Sequence, residues 1–572
     1  MTQCGLRIVC HPWLEKVAPT QEGLTFSWPR IHLNNVHTAL NFAPSLNIIF
    51  SLQLNILKGS CGIKKRNKEI KMPLSPAVPG SNLTPLALVK HLENKILVGG
   101  QLITPKSHTT FPVHNPATME VLGQAAQAGQ ADVDMAVEVA RKAQKEWRHM
   151  DASARGRLVT QCGELLEQYA DELARLMTLE TGKALRTESQ VEAKVFANTF
   201  RFYGGLALEL KGETIPFSDS MLSITIREPL GVVGAIIPWN VPLLLMSLKV
   251  APALVAGNTI VVKSAEEAPF AVLRAAEIMN TILPPGVLNM LSGDGPTTGE
   301  ALVKHPHISK VTFTGSVETG KTIYKNSSEK LIPVTLELGG KSPMIVCEDV
   351  DVDKAIQGAL TSMRFTRQGQ SCTAASRIFV HELIFDRFLE GLKTKLNELK
   401  IGDPMDLETD IGAVISPEQH MKILSYVEKG KNEPGATAHV CSDLPTDPKL
   451  SKGLFVQPVV FTGLPNSHQV NQEEIFGPVT ALIPWTDFNK VIEEANDTTY
   501  GLAATLWTGS LTRALKGVHQ LEAGFVQVNQ NIVVQPGLSY GGVKSSGLGK
   551  EASLEAMLDH FTHKKTIIFN ME

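Results

Sequence analysis

The sequence predicts an α/β enzyme built on a mostly parallel sheet. Short β-branched runs alternate with stretches of helical period, the pattern of βαβ units. Several of these runs lead straight into polar turns containing Gly, Pro or Asn, and the carboxyl ends of parallel strands are where such sheets place ligands. The chain has 572 residues, 43% of them hydrophobic, which is enough for two or three domains with cores of their own.

The elements follow in order. Residues 1–71 lack a helical or strand period and end in the basic run Lys64-Lys65-Arg66-Asn67-Lys68. They read as an extension, either disordered or a targeting segment, with Met72 as a natural start. Regularity begins near Lys90. Ala131 to Met150 puts Val133, Val137, Ala140 and Trp147 at helical spacing, and Arg155 to Leu179 repeats the pattern with Leu158, Cys162, Leu165 and Leu173. A third helix follows Gly182 and runs to about Phe202. Ile224 to Val233 reads as strands and Ala235-Ile236-Ile237 as a buried strand end. The stretch Gly231 to Met246, interrupted by Pro238, Asn240 and Pro242, reads as strand plus loop. Further strands are expected at Thr259–Val262, Val311–Phe313, Met344–Val346 and Ile378–Val380.

The bulk composition excludes several classes. A formal net charge of -3 supplies no footprint for nucleic acid or an anionic membrane. No run of eighteen uninterrupted apolar residues suggests a membrane span. The seven cysteines are scattered and include no CxxC pair, which suits a reducing compartment rather than a disulfide framework.

Six segments carry candidate chemistry. In Gly369-Gln370-Ser371-Cys372 the cysteine is a candidate nucleophile, although free cysteines more often serve as small core residues. Asn240, at the end of Pro238-Trp239-Asn240, is either a turn residue or an amide placed to hold an oxyanion. Lys263 and Glu266, after the strand from Thr259, sit where a nucleotide ribose would be held, or form a solvated ion pair. Phe313-Thr314-Gly315-Ser316 leads into a helix whose N–H groups suit a phosphate. Residues Gly315 to Thr322 also match G-x-x-x-x-G-K-[ST] literally, but nothing nearby marks the metal-binding acid of a nucleotide hydrolase. Glu337 precedes Gly339-Gly340; if partly buried its carboxyl would rise towards neutrality and suit a general base. Glu474 and Phe476 share one later loop.

Taken together, Pro238-Trp239-Asn240, Lys263-Ser-Ala-Glu266, Phe313-Thr-Gly-Ser316, Glu337-Leu-Gly-Gly340, Gly369-Gln-Ser-Cys372 and Glu474-Ile-Phe476-Gly-Pro resemble the aldehyde dehydrogenase superfamily in order and spacing, over roughly residues 90–570. The resemblance implies that fold: a Rossmann-like NAD(P)-binding domain (85–204 and 230–338), an α/β catalytic domain (339–545), and a β-hairpin oligomerisation arm (205–229 with 555–570). It implies oxidation of an aldehyde to the acid with NAD, NADP being the alternative. Cys372 would be the nucleophile, Glu337 the base and Asn240 the oxyanion donor. Ile236, Pro238, Trp239, Lys263, Glu266, Gly295, Phe313, Gly315, Ser316, Leu338, Glu474 and Phe476 would contact the cofactor, with no metal. It further implies a homodimer or homotetramer without nucleic-acid or membrane partners. The compartment would be the cytoplasm, or the mitochondrion if residues 1–71 are a true targeting segment. The alternatives are a CoA-acylating semialdehyde dehydrogenase, which Glu337 argues against, and a non-catalytic relative, which the presence of both Cys372 and Glu337 argues against. The chain departs from the usual pattern at Val241, Leu248, Arg367 and Tyr540, around the aldehyde entrance, which then reads as aliphatic-walled with one aromatic; near the end, Lys550 replaces a usual arginine.

Overall fold

The computed structural model describes Val78, residues 83–531 and residues 534–572; the extension expected over residues 1–71 lies outside the described residues. An eight-stranded sheet has five parallel strands at its centre, in the spatial order Val334–Glu337, Lys310–Thr314, Val232–Ile236, Thr259–Lys263, Leu288–Leu291. Gly547–Leu548 closes one edge antiparallel, and Ile96–Val98 with Gln101–Ile103 closes the other. The five central strands are buried at every position, as β-branched runs without alternation require when helices cover both faces.

A seven-stranded sheet follows. Six of its strands are parallel, in the order Val459–Thr462, Val479–Trp485, Arg377–His381, Pro343–Val346, Ala503–Trp507, Phe525–Val528, and Thr437–Val440 adds an antiparallel edge. A separate antiparallel sheet joins Thr214–Ser218, Met221–Pro229 and the C-terminal Thr562–Asn570. Residues 555–561, which the sequence reading assigned to this arm, instead belong to a helix, Leu554–Phe561. Met557 and Phe561 are buried in the core beside the first sheet, and hydrophobic residues spaced one helical turn apart explain why it folds inward.

Two other expectations shift. The helix expected over Arg155–Leu179 is two helices, Ala152–Gln168 and Ala170–Thr181, broken at Tyr169. The residues after Pro242 are not loop. Pro242–Val255 is a helix with proline in its first turn and every side chain buried, so no polar face gives it a helical period to read. This helix carries Asn240 at its entrance.

Candidate active site

The carboxyl ends of the first sheet converge on the loop bearing Cys372. That loop starts at Arg364 and ends at the strand Arg377–His381. Arg364, Gln368 and Gly369 all have left-handed backbone, with φ of 57°, 54° and 65°. A side chain at Gly369 would lie 2.1 Å from the Gly477 carbonyl, so glycine is required there. The turn is held from outside: the Gln370 side chain accepts the Ile415 N–H at 3.1 Å, and the Gln368 amide donates to the Gly182 carbonyl at 3.1 Å. Strained backbone fixed by such contacts is typical of functional loops.

Cys372 is half-buried. With Asn240 it lines two clefts at once. The first is lined by Val241, Leu244, Leu245, Leu248, Phe525 and Tyr540 together with Arg364, Arg367, Thr505 and Asn531. The second is lined by Pro238, Trp239, Thr314, Gly315, Ser316, Leu338, Gly339, Glu474 and Phe476, together with Gln419 and Lys422. Trp239 and Phe476 meet edge to face, with ring centroids 5.3 Å apart. Further along the same strand ends, Ile236, Lys263, Gly295 and Phe313 line a third cleft. Glu266 borders it, accepting from Lys263 Nζ and from the Gly295 N–H, each at 3.1 Å. Ser316 caps the helix Val317–Ser328, accepting the Thr319 N–H at 3.2 Å. Every residue singled out from the sequence except Glu337 thus lines or borders one of three clefts.

Glu337 lies behind Cys372, 2% exposed, and neither carboxyl oxygen has a hydrogen-bond partner. Close backbone approaches define its place. A side chain at Gly340 would lie 2.3 Å from the Cys372 carbonyl, and one at Gly541 would lie 2.6 Å from Glu337 Oε1. Burial raises the Glu337 carboxyl well above the usual range; the Glu551 charge raises it further, and Lys249 and Lys550 oppose.

The same burial pushes the Cys372 thiol up to about 11. The Tyr540 hydroxyl, 3.3 Å from Sγ, pulls it down, Glu474 and Glu337 push it up, and Arg367 lowers it. Glu474 is raised by burial to about 7 and accepts the Gly340 N–H at 2.9 Å.

Asn240 is 5% exposed and donates through Nδ2 to the Gln370 carbonyl at 3.1 Å. Its own carbonyl accepts Lys183 Nζ at 3.0 Å. Lys183 pairs with Glu192, both buried, and Glu192 caps the Pro242–Val255 helix through the Leu243 and Leu244 N–H groups at 2.9 and 3.2 Å. A buried ion pair therefore sets the position of Asn240. The sequence reading missed this pair, along with the Gln419 amide that holds the Ile475 and Phe476 carbonyls at 2.9 Å. Their signal was slight: Lys183 and Glu192 had been read only as parts of a helix and its boundary.

A nucleotide fits the residues on the second and third clefts. The cleft between Ile236, Val303, Phe313 and Ile323 suits a flat heteroaromatic ring, a carboxylate and an ammonium stand where ribose hydroxyls need partners, and a capped helix N-terminus lies between.

Comparison with known proteins agrees with this geometry. The model of the aldehyde dehydrogenase family matches residues 103–567. The cytosolic aldehyde dehydrogenase 1 of Mus musculus is 40% identical over 500 residues, covering 86% of this chain and 98% of its own. A mitochondrial aldehyde dehydrogenase of Leishmania tarentolae is 39% identical over 483 residues, covering 84% and 96%. The solved NAD+ complex of an aldehyde dehydrogenase from Bacillus cereus superposes with a TM-score of 0.82 at 38% identity, covering 86% and 99%.

Proposed function

The chain belongs to the aldehyde dehydrogenase family, and on that premise we propose that it oxidises an aldehyde to its carboxylic acid with NAD+, Cys372 carrying the acyl group. The observation that supports this most is the position of Sγ, on the wall shared by the two clefts.

Bound NAD+ supplies the hydride acceptor; Lys263 and Glu266 hold its adenosine ribose, Trp239 and Ser316 its pyrophosphate region, and Glu474 and Phe476 its nicotinamide side. The chain's own groups do the rest. Glu337 accepts the Cys372 proton, directly or through water. The sulfur adds to the aldehyde carbon, and the C=O electron pair moves to oxygen. The Asn240 amide carries two hydrogens; Gln370 fixes its direction by taking one, and the other serves the oxyanion with the Cys372 N–H. One such donor is worth about 3–4 kcal/mol. Collapse of the oxyanion expels hydride and leaves a thioester. Glu337 gives up the first proton to solvent and, again a carboxylate, takes a proton from water; the resulting hydroxide attacks the thioester, and the sulfur leaves as thiolate. Sulfur is needed twice: it makes a tetrahedral hydride donor of a flat carbonyl, and it departs readily afterwards.

The Glu266 carboxylate favours NAD over NADP, since it would face a 2′-phosphate. Assembly as a homodimer or homotetramer is supported by the arm strand Thr214–Ser218, exposed at every residue, with Phe217 67% exposed. Among the described residues the four cysteines are free and no helix is long and apolar enough to cross a membrane.

Cys372→Ala tests the reading. Loss of aldehyde-dependent NADH formation is expected, and full retention would overturn it.

A further inference from the structure

Addition of sulfur to a carbonyl needs two groups at a set separation, the Cys372 sulfur for the carbon and the Asn240 amide for the oxygen. They come from different elements, Asn240 from the entrance of the helix Pro242–Val255 and Cys372 from the loop before the strand Arg377–His381. One short stretch, residues 182–192, touches both. Gly182 ends the helix Ala170–Thr181 in left-handed backbone, φ 71°, and its carbonyl accepts the Gln368 amide at 3.1 Å. Lys183 Nζ donates to the Asn240 backbone carbonyl at 3.0 Å and pairs with Glu192, which caps the helix Pro242–Val255. Between them the single wide turn Leu185–Ser189 sets Glu188 against the nucleophile loop; π-helical turns of this kind are frequent at functional sites.

Glu188 holds that loop with both oxygens. Oε1 accepts the Thr366 hydroxyl at 2.5 Å, and Oε2 accepts Arg367 Nε and Nη2 at 2.6 Å each. Thr366 and Arg367 belong to the tight turn Phe365–Arg367, which is flanked by left-handed Arg364 and Gln368 and leads into Cys372. Such backbone persists only where its surroundings over-determine it. Burial opposes the Glu188 charge, but Arg367, the Thr366 hydroxyl and Lys183 outweigh it and draw the carboxyl below the usual range. The buried charges around the turn are the cations Lys183, Arg364 and Arg367 and the carboxylates Glu188 and Glu192. Buried ion pairs add little stability beyond apolar packing of the same volume, so what the Glu188–Arg367 pair supplies is geometry. The stretch is itself fixed from outside: the Leu185 N–H donates to the Pro404 carbonyl at 2.8 Å and the Thr187 hydroxyl to the Asp410 carbonyl at 3.0 Å.

We propose that residues 182–192 act as the gauge of the active site, and that Glu188 is a positioning residue which, through Thr366 and Arg367, holds Cys372 at the separation from Asn240 at which both act on one carbonyl. This deepens the aldehyde dehydrogenase reading and rests on it.

The test uses the full purified chain with NAD+ and whichever of acetaldehyde, butanal and benzaldehyde the wild type oxidises fastest. Glu188→Leu/Arg367→Met removes one charge of each sign and keeps apolar packing in their place. Its kcat is expected to fall by about tenfold or more, with KM for aldehyde and for NAD+ changed by no more than about threefold, because misplacement penalises the transition state rather than binding. Alkylation of Cys372 by iodoacetamide, which forms no oxyanion, should stay within about threefold of the wild type. In an Asn240→Ala background the same two substitutions should lower kcat by about threefold or less, since the separation they spoil has lost its other end. Thr366→Val, which removes one hydroxyl from Glu188, should lower kcat by a few-fold with the same dependence on Asn240. Equal fold-losses with and without Asn240 would make the pair merely structural and overturn the proposal, as would unchanged kcat in the folded double variant or alkylation slowed as much as kcat. Should the double variant not fold, Thr366→Val decides: a loss that disappears with Asn240→Ala supports the proposal, and no loss, or an equal one, overturns it. Absence of NADH from all three aldehydes with the wild type would sink the underlying enzyme reading, whereas wild-type turnover with losses independent of Asn240 sinks only this inference.

Discussion

Removing one hydroxyl, by Tyr540→Phe, should slow the sulfur without disturbing its surroundings. Tyr540 is 3% exposed, its ring packs edge to face on Phe525 at 5.7 Å, and its hydroxyl lies 3.3 Å from Cys372 Sγ. Phenylalanine keeps the packing and loses only the donor. Burial raises the Tyr540 hydroxyl well above its ordinary value, so it remains a protonated donor throughout any practical assay range. A hydrogen bond to a charged group is worth about 1.5–3 kcal/mol, or roughly one to two pKa units on the thiol. Starting from about 11, the variant's thiolate fraction between pH 7 and 9 should fall by about 10- to 100-fold. A more basic sulfur is also more nucleophilic, with a Brønsted slope of about 0.4–0.5, which returns roughly half of the loss on a logarithmic scale. The net expectation is alkylation by iodoacetamide slower by about 3- to 10-fold. The assay follows modification of Cys372 in the full chain from pH 7 to 9, with Cys372→Ala as the blank. Two parallel lines of log rate against pH, the variant's lower, are expected. Superimposed lines, or a faster variant, would refute the idea that the hydroxyl stabilises the thiolate.

Three further outcomes follow. Asn240→Ala should lower kcat about 10²- to 10³-fold with a smaller change in KM, measured by steady-state NADH formation, because the lost donor acts on the oxyanion. Lys183→Met leaves Glu192 charged and buried, which should cost about 3–5 kcal/mol in chemical denaturation; the Lys183→Met/Glu192→Gln double variant, which keeps an acceptor for the Leu243 and Leu244 N–H groups, should recover much of that stability but not the activity, since the Asn240 carbonyl stays unheld. Glu337→Gln should become progressively more stable than the wild type as pH rises. The folded carboxyl is raised above its unfolded value, so the stability it confers is complete below the ordinary carboxylate range and is lost as pH climbs through the raised value; glutamine has no such loss. Thermal melts from pH 5 to 9 check the sign.

Much of this was readable in the chain. The parallel strands announced themselves as β-branched runs, and the groups that line the clefts sit at strand ends, where residue type and order along the sequence coincide with position in space. What escaped notice depended on pairs distant in sequence or on environment. Lys183 reaches the Asn240 carbonyl across 57 residues, and Tyr540 reaches Cys372 across 168. The helix from Pro242 shows no period because no face of it meets water. The entrance reads as aliphatic-walled with one aromatic from the departures at Val241, Leu248, Arg367 and Tyr540, whereas Arg364 joins the lining through a left-handed turn that residue type does not forecast.

Glu337 and Cys372 are each raised by burial, and the Glu337 charge raises the cost of ionising Cys372. The pocket therefore favours a single negative charge over two, and moving the proton from sulfur to carboxylate relocates that charge without adding to it. A base acting this way is also an electrostatic opponent of its nucleophile. Where Glu337 is already ionised, replacing it by glutamine removes a repelling charge from beside the sulfur, so alkylation of Cys372 by iodoacetamide at pH 9 should become faster in Glu337→Gln by a few-fold. Turnover of aldehyde by the same variant should nonetheless fall by about 10²-fold or more, because hydrolysis of the thioester has lost its base. A faster thiol in a slower enzyme is the signature of one shared charge. Slower alkylation at pH 9 alongside lost turnover would mean that Glu337 acts on the sulfur only as a proton acceptor, and the coupling argued from their common burial would be wrong.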